Sequence, residues 1–151
     1  VKDLSGMFAI APPLKLQNFS SNFVPAVNLW NRLLKRINID RNRMDYVENT
    51  PENPHINYNR NPIAAVAEMG HLMDTLEAKL PKITIPALII QSQADPVVDP
   101  KGSRTIFKKL GSVDKEYLLV NYPHHGIING DGSERVFKAV GDFVKKLRTD
   151  D

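Results

Sequence analysis

A nearly continuous apolar run at residues 86–91, Pro-Ala-Leu-Ile-Ile-Gln, constrains the fold more than any other feature. It lacks the alternation expected of a strand with one wet face, and is typical of a parallel strand covered on both faces. A helix signal follows at Asp99-Pro100, then a short apolar strand at 117–120 and an amphipathic helix from about Ser133. Strand, helix, strand, helix in this order predicts parallel strands joined by right-handed crossovers, an α/β fold.

The N-terminal half is less regular. Met7 to Ile10 reads as a short buried strand, stopped by Pro12-Pro13. From Phe23 to Ile37 the apolar residues recur at three- and four-residue spacing, which predicts an amphipathic helix. Asp40 to Asn61 has no periodicity and is rich in Asn, Pro and charge, so we expect an extended surface segment. A second helix is predicted after Pro62.

Composition narrows the class of protein and partner. At 151 residues, 42% of them hydrophobic, the chain is long enough for one compact domain. The absence of cysteine excludes disulfides and thiolate metal sites, and fits a cytoplasmic location. The net charge of +3 comes from basic residues interleaved with acids, which argues against nucleic-acid binding. We find no stretch that would span a membrane and no secretory signal, although a signal upstream of Val1 would not be seen.

Chemically capable side chains follow both strands of the regular C-terminal part. Asp95 comes after the first strand and His125 after the second. Ligands of open parallel sheets bind beyond the carboxyl ends of the strands, so an acid and an imidazole there can meet. The carboxylate would accept the imidazole N–H, fix the tautomer and stabilise the cation that forms when the ring takes a proton.

For each of the two residues the sequence offers another candidate nearby, and each could also have a purely structural role. Asp95 could be a turn residue before a proline, and Asp99 is the competing acid, although its Asp-Pro-Lys context fits a helix cap better. His125 alone would be read as a structural loop histidine, and the adjacent His124 is its rival. The spacing by itself leaves these alternatives open.

The remaining histidines give no metal signature. His55 and His71 lack partners at the spacing of metal ligands, and no H-E-x-x-H motif is present. We therefore expect both to be surface residues, and we expect neither a metal nor an organic cofactor.

Residues 85–90, the turn at Asp95 and residues 115–128 resemble the last third of an α/β-hydrolase. The resemblance is to the branch of esterases, lysophospholipases and monoacylglycerol-lipase-like enzymes, in which serine, acid and histidine follow one another along the chain. It implies that Asp95 is the acid of a catalytic triad and His125 its histidine. It also implies about three parallel strands with flanking helices and a helical lid insertion, divided as a core strand (1–11), a lid (12–81) and a C-terminal core (82–151).

The sequence departs from this family at the nucleophile. No G-x-S-x-G motif is present, and neither Ser5 nor Ser133 has glycines two residues away on both sides. The resemblance implies that the serine lies upstream of Val1 and that this chain alone is inactive. A smaller departure is Gln91-Ser92, where many members of the family have a glycine.

The function implied by the resemblance is a serine hydrolase that cleaves carboxylic esters of small molecules or lipids. His125 would act as general base, oriented by Asp95. The alternative is a non-catalytic module that keeps the fold and only binds. Within the enzymes, a dehalogenase or a peptidase of the same fold would keep the same acid and histidine.

The same resemblance has a consequence for assembly. The strand before the lid lies beside the two strands after it, so Met7 to Ile10 would expose the edge that a lost neighbour once covered. An exposed apolar edge invites pairing with another chain. We therefore expect self-association.

Overall fold

The computed structural model describes residues 4–17, 24–37, 44–49, 51, 55 and 57–149. These fall into two compact units, Val1–Gln17 with Thr75–Asp151, and Asn18–Asp74. In chain order the elements are β1 (Met7–Ile10), α1 (Val24–Arg36), β2 (Tyr46–Glu48), β3 (Arg60–Pro62), α2 (Ile63–Lys79), β4 (Ala87–Ser92), α3 (Pro100–Lys109), β5 (Lys115–Val120) and α4 (Ser133–Thr149). Within the described ranges, no helix combines the length and the apolar character needed to cross a membrane. The functional division at residues 12 and 82 stays a prediction.

The first unit is built on a parallel sheet, which confirms the predicted α/β class. Its strands lie in the order β1-β4-β5, and Ala87 of the central strand aligns with Met7 on one side and Lys115 on the other. Every residue of β4 is buried, as the uninterrupted apolar run predicts. The crossover from β4 to β5 runs through α3.

The side chains of β4 alternate between two hydrophobic cores. Leu88 and Ile90 pack with residues of β5, the following loop and α4, namely Val120, Ile127, Val136 and Phe143. Ala87 and Ile89 pack on the opposite side with Leu80, Ile106 and Leu110. Each fully buried aliphatic side chain contributes about 1.5–3 kcal/mol. Because both faces are covered, residues 87–90 of β4 are all apolar and do not alternate with polar residues.

The second unit combines α1, the antiparallel pair β2–β3 and most of α2. Its core contains Val24, Ile63 and Ala67. Asn31 of α1 fixes the start of the hairpin, since its amide donates to the Met44 carbonyl oxygen at 2.6 Å and accepts from the Met44 N–H at 3.2 Å. Local polar contacts thus supplement a small apolar core.

Part of the extended surface segment expected from Asp40 to Asn61 forms the antiparallel pair β2–β3, which the sequence did not predict. Tyr46 aligns with Pro62, and Glu48 with Arg60, in antiparallel register. Each strand has three residues and one includes a proline, so neither leaves a period-two pattern long enough to detect. Residues 18–23, 38–43, 50, 52–54 and 56 lie outside the described part of the chain.

Helix α1 forms where the periodicity predicts it, but its apolar residues are not all covered. Val24 and Leu34 are buried, whereas Trp30 and Leu33 remain 55% and 48% exposed, and Ile37, directly after the helix, is 62% exposed. The spacing therefore predicted the helix correctly and overestimated how much of its apolar surface is buried. Phe23, at the start of the predicted helix, lies outside the described residues.

Candidate active site

The carboxyl ends of β4 and β5 bring the two predicted site residues together. Ser92, the last residue of β4, aligns with Val120, the last residue of β5. In the loops beyond them, His125 Nδ1 lies 2.8 Å from Asp95 Oδ2. That distance is typical of a charge-assisted hydrogen bond. Two residues that are 30 positions apart in sequence thus meet because their strands are parallel neighbours.

The Asp95 carboxylate is buried and receives hydrogen bonds at both oxygens. Oδ1 accepts from the N–H groups of Val97 at 2.8 Å and Val98 at 2.9 Å, which closes a tight turn. Oδ2 accepts from Gln91 Nε2 at 3.0 Å in addition to its contact with His125. With these partners the carboxylate cannot rotate without breaking several hydrogen bonds.

The Gln91 contact was not predicted from the sequence. Gln91 is a fully buried amide near the end of β4, and its Nε2 also approaches the Ser92 carbonyl oxygen at 3.2 Å. A polar side chain at the end of an otherwise apolar buried strand was the available signal, since a buried amide needs hydrogen-bond partners. That signal points to a polar neighbour beyond the strand end, and the neighbour is Asp95.

These contacts determine the charge of the acid and the tautomer of the histidine. Burial opposes ionisation of Asp95, but hydrogen bonds from His125, Val98 and Val97 outweigh it and hold the pKa below the ordinary value of 3.8. The ionised carboxylate only accepts hydrogen bonds, so His125 Nδ1 carries the proton. Nε2 is then the acceptor nitrogen of the neutral ring. This is the tautomer that a general base requires.

A short segment after β1 supports the turn that carries Asp95. Gln17 Nε2 donates to the Asp95 carbonyl oxygen at 3.0 Å, and the Gln17 N–H donates to the Val97 carbonyl oxygen at 2.9 Å. Leu16 and Val98 form an antiparallel bridge. The main chain of the acid turn is therefore held by hydrogen bonds from the main chain and the side chain of a distant residue, which no local sequence pattern predicts.

Asp99 serves the structural role that its sequence context indicates. Its side chain accepts from the Lys101 N–H at 2.9 Å at the N-terminus of α3, and it pairs with Lys15 Nζ at 3.2 Å. Partial burial opposes ionisation, but these contacts prevail and lower the pKa of Asp99. The rival acid therefore caps a helix, while Asp95 contacts the histidine.

The loop that carries His125 is anchored at Tyr122 and Ile127. The Tyr122 main chain binds the Ser92 hydroxyl through both its N–H and its carbonyl oxygen. Its own hydroxyl donates to the Gly132 carbonyl oxygen at 2.5 Å, which ties the start of the loop to its end. Ile127 is fully buried in the core beneath α4. Between these anchors, His125 keeps 38% of its side chain exposed.

His124, the rival of His125, packs against Tyr122. Its ring stacks on Tyr122 with 5.9 Å between the ring centroids and 13° between the planes. Among the described residues its Nε2 is buried without a hydrogen-bond partner, and so is Gln91 Oε1. In the same part of the chain, no cluster of three or more His, Asp or Glu side chains is suited to hold a metal ion.

Comparison with known proteins gives the family. A family model described as serine aminopeptidase, S33, matches residues 2–131. The chain belongs to this family of α/β-hydrolases. Its similarity is to the monoacylglycerol-lipase-like branch: a thermostable monoacylglycerol lipase from Bacillus sp. (strain H-257) is 32% identical over 85 residues, which cover 54% of this chain and 34% of that lipase. The predicted family is confirmed, and the chain spans about a third of the length of this curated relative.

Solved structures share the fold over nearly the whole chain. One comes from a study of two metagenome-derived lipolytic enzymes, LipS and LipT, with a TM-score of 0.73 and 20% identity over 95% of this chain and 56% of that one. The monoacylglycerol lipase of Paleococcus ferrophilus gives a TM-score of 0.72 and 18% identity, over 97% of this chain and 60% of that one. These likenesses establish the α/β-hydrolase fold, and this chain spans little more than half of each structure.

Proposed function

We propose that this chain carries the acid and the general base of a Ser-His-Asp hydrolase that cleaves carboxylic esters. The observation behind the proposal is the 2.8 Å contact between His125 Nδ1 and the buried Asp95 carboxylate at adjacent strand ends. The serine is proposed to come from a part of the protein outside these 151 residues, because no G-x-S-x-G motif occurs in them. By itself the chain is then a half-site.

The arrangement of His125 and Asp95 is suited to the proton transfers of ester hydrolysis by a serine nucleophile. His125 Nε2 takes the serine proton as the serine oxygen attacks the ester carbonyl carbon. The imidazolium that forms is stabilised by ionised Asp95 through Nδ1. The same Nε2–H then protonates the leaving alkoxide, which releases the alcohol and leaves an acyl-enzyme. Water, deprotonated by Nε2, attacks the acyl carbon, the bond to the serine oxygen breaks and the carboxylic acid leaves, while the proton returned from Nε2 regenerates the serine hydroxyl.

The proposed substrate class is a lipid-like ester, such as a monoacylglycerol. Its support is the similarity to the Bacillus sp. monoacylglycerol lipase and to structures of lipolytic enzymes, including a monoglyceride lipase variant from Saccharomyces cerevisiae in complex with a substrate analogue. Exposed apolar side chains also follow each site residue: Val97 is 44% exposed and Ile128 is 53% exposed. Such side chains suit contact with an acyl chain.

The direct test is ester hydrolysis by the protein that contains this chain together with a G-x-S-x-G segment. We expect Asp95→Asn and His125→Ala each to lower kcat by about 10⁴-fold. The first substitution favours the wrong tautomer of His125, and the second removes the general base. Asp99→Asn, which preserves a helix-capping side chain, and His124→Ala are the matched controls, and should each lose less than about tenfold. Near-normal hydrolysis by Asp95→Asn or His125→Ala would overturn the proposal.

Peptide hydrolysis is the second candidate. It is favoured by the description of the matching family model as serine aminopeptidase. The same acid and histidine would serve, since an amide leaving group also takes its proton from the imidazolium. Parallel assays with a glycerol ester and an aminoacyl p-nitroanilide distinguish the two, and we expect the ester to have the larger kcat/KM.

We further propose that the chain self-associates through β1. Within the described residues this strand pairs with β4 on one side, and its Phe8 is 48% exposed. Sedimentation velocity over a range of concentrations should show a growing dimer fraction that Phe8→Lys reduces. Val113→Lys adds the same charge at a fully exposed position outside β1, just before β5 on the opposite side of the sheet, and should leave association through β1 unchanged. A monomer at every concentration would contradict this proposal.

A further inference from the structure

The hydroxyl of Ser92 is fully buried at the end of β4 and makes three contacts. It donates to the Tyr122 carbonyl oxygen, and it accepts from the Tyr122 N–H at 3.1 Å and from the Ala94 N–H at 3.2 Å. A serine hydroxyl has one proton and two lone pairs, so all its hydrogen-bonding capacity is used. This commitment also makes Ser92 unsuitable as a nucleophile.

The partners of this hydroxyl belong to the two loops that carry the site. Ala94 immediately precedes Asp95, and Tyr122 stands three residues before His125. The main-chain bond from the Gln93 N–H to the Val120 carbonyl oxygen, at 2.8 Å, also joins the strand ends. The Ser92 hydroxyl oxygen therefore connects the acid turn to the start of the histidine loop.

Tyr122 passes this restraint to the rest of the histidine loop. Its hydroxyl binds the Gly132 carbonyl oxygen, and its ring stacks on His124. Gly132 has a φ of +90°, and a Cβ there would lie 2.6 Å from the Tyr122 ring. A shift of Tyr122 would thus move both ends of the loop.

We propose that Ser92 is a positioning residue whose hydroxyl sets the contact between His125 and Asp95. Its consequence for catalysis rests on the function proposed above, while its structural part does not. Without the hydroxyl, the Ala94 and Tyr122 N–H groups and the Tyr122 carbonyl lose a buried partner. The two loops can then separate, and the His125–Asp95 hydrogen bond lengthens or becomes intermittent.

NMR of the 151-residue chain tests the structural part through the His125 Nδ1 proton. In the unsubstituted chain we expect a downfield resonance that is protected from exchange with solvent, because Nδ1–H binds a buried carboxylate. Ser92→Ala should broaden this resonance or move it upfield. Ser103→Ala is the matched control: Ser103 is also fully buried, and its hydroxyl bonds to the Pro100 carbonyl oxygen and the Tyr117 hydroxyl, both at 2.9 Å.

A folded Ser92→Ala chain with an unchanged His125 Nδ1 resonance would overturn the proposal, as would an equal change in Ser103→Ala. Should Ser92→Ala fail to fold, Ser92→Cys retains a weak donor and acceptor and should give a smaller change in the same direction. An unchanged resonance in folded Ser92→Cys would then be the contrary result.

Kinetics on the protein with its serine test the catalytic part. Ser92→Ala should lower kcat by up to about 100-fold with little change in KM, whereas Ser103→Ala should leave kcat unchanged. Equal kcat for both variants would overturn the catalytic part. If the unsubstituted protein hydrolyses neither esters nor peptides, the proposed function fails, and the NMR comparison still decides the role of Ser92.

Discussion

The turn that carries Asp95 and the loop that carries His125 leave neighbouring strands, but they are held in different ways. The acid turn is short, its carboxylate is buried, and hydrogen bonds from Val97, Val98 and Gln91 surround it. The histidine loop is longer and mostly exposed, and is anchored through Tyr122 at its start and Ile127 in the core.

Under the proposed function, this difference allows a fixed acid to orient a base that must reach a substrate. Asp95 is fully enclosed and cannot touch a ligand, whereas His125 keeps 38% of its side chain exposed. Several donors fix the position of the carboxylate, and the carboxylate fixes the tautomer of the imidazole. We infer that the acid turn is the rigid reference and that the histidine loop presents the reactive nitrogen.

We expect the largest change in unfolding free energy when one partner of the Asp95–His125 pair is removed. Asp95→Ala leaves buried N–H donors without acceptors, so we expect unfolding free energy to fall by about 3–5 kcal/mol. His125→Ala leaves the carboxylate with three donors and removes a partly exposed ring, so we expect a loss of about 1 kcal/mol. Urea denaturation measures both losses of unfolding free energy. Similar losses for the two variants would contradict the inference that Asp95 is held more firmly than His125.

A second comparison lies within the histidine loop. Gly130 and Gly132 both have positive φ, at +82° and +90°. A methyl group at Gly132 would also meet the Tyr122 ring, whereas among the described residues nothing lies within 4 Å of one at Gly130. We expect Gly132→Ala to cost about 2–3 kcal/mol and Gly130→Ala about 1 kcal/mol in thermal or urea unfolding. Equal costs would mean that Tyr122 does not anchor the loop.

Acidification tests how much the ionised Asp95 carboxylate stabilises the fold. Because the folded pKa of Asp95 lies below 3.8, its ionised form stabilises the fold above that pH, and the contribution is lost as pH falls through the folded pKa. The destabilisation caused by Asp95→Asn should therefore shrink as the pH falls below about 4. We expect this change to be smaller than the effect of Asp95→Ala, since a protonated carboxyl still fills its site. A difference independent of pH down to unfolding would contradict it.

The smallest effect concerns the segment after β1. Gln17→Ala removes one partly exposed hydrogen bond to the Asp95 carbonyl oxygen and should cost about 0.5–1.5 kcal/mol. Under the proposed function, the rate of ester hydrolysis should fall little, because the Asp95 carboxylate keeps its donors. A loss as large as that of Asp95→Ala would show that this segment, rather than the side-chain network, fixes the acid.

The sequence predicted those parts of the molecule whose pattern is local or repeats along the chain. The continuous apolar run predicted a buried parallel strand. The order of the strands predicted that Asp95 and His125 lie at adjacent strand ends. Asp99 was correctly read as a cap because capping depends on the next three residues.

The parts that escaped prediction depend on contacts between distant residues. Gln17 reaches Asp95 across 78 positions, and Ser92 reaches Tyr122 across 30. No periodicity marks such pairs, since each follows from how the loops pack once the sheet has formed. Short strands such as β2 were missed for another reason: three residues do not establish a pattern.

Intact mass after treatment with a fluorophosphonate probe tests whether the nucleophilic serine lies outside this chain. We expect no mass gain on the 151-residue chain, and one stoichiometric adduct on the protein that also carries a G-x-S-x-G segment. That adduct should disappear with His125→Ala and persist with His124→Ala. A stoichiometric adduct on the 151 residues alone, abolished by His125→Ala, would show that the activated serine lies within this chain and that the proposed half-site is wrong.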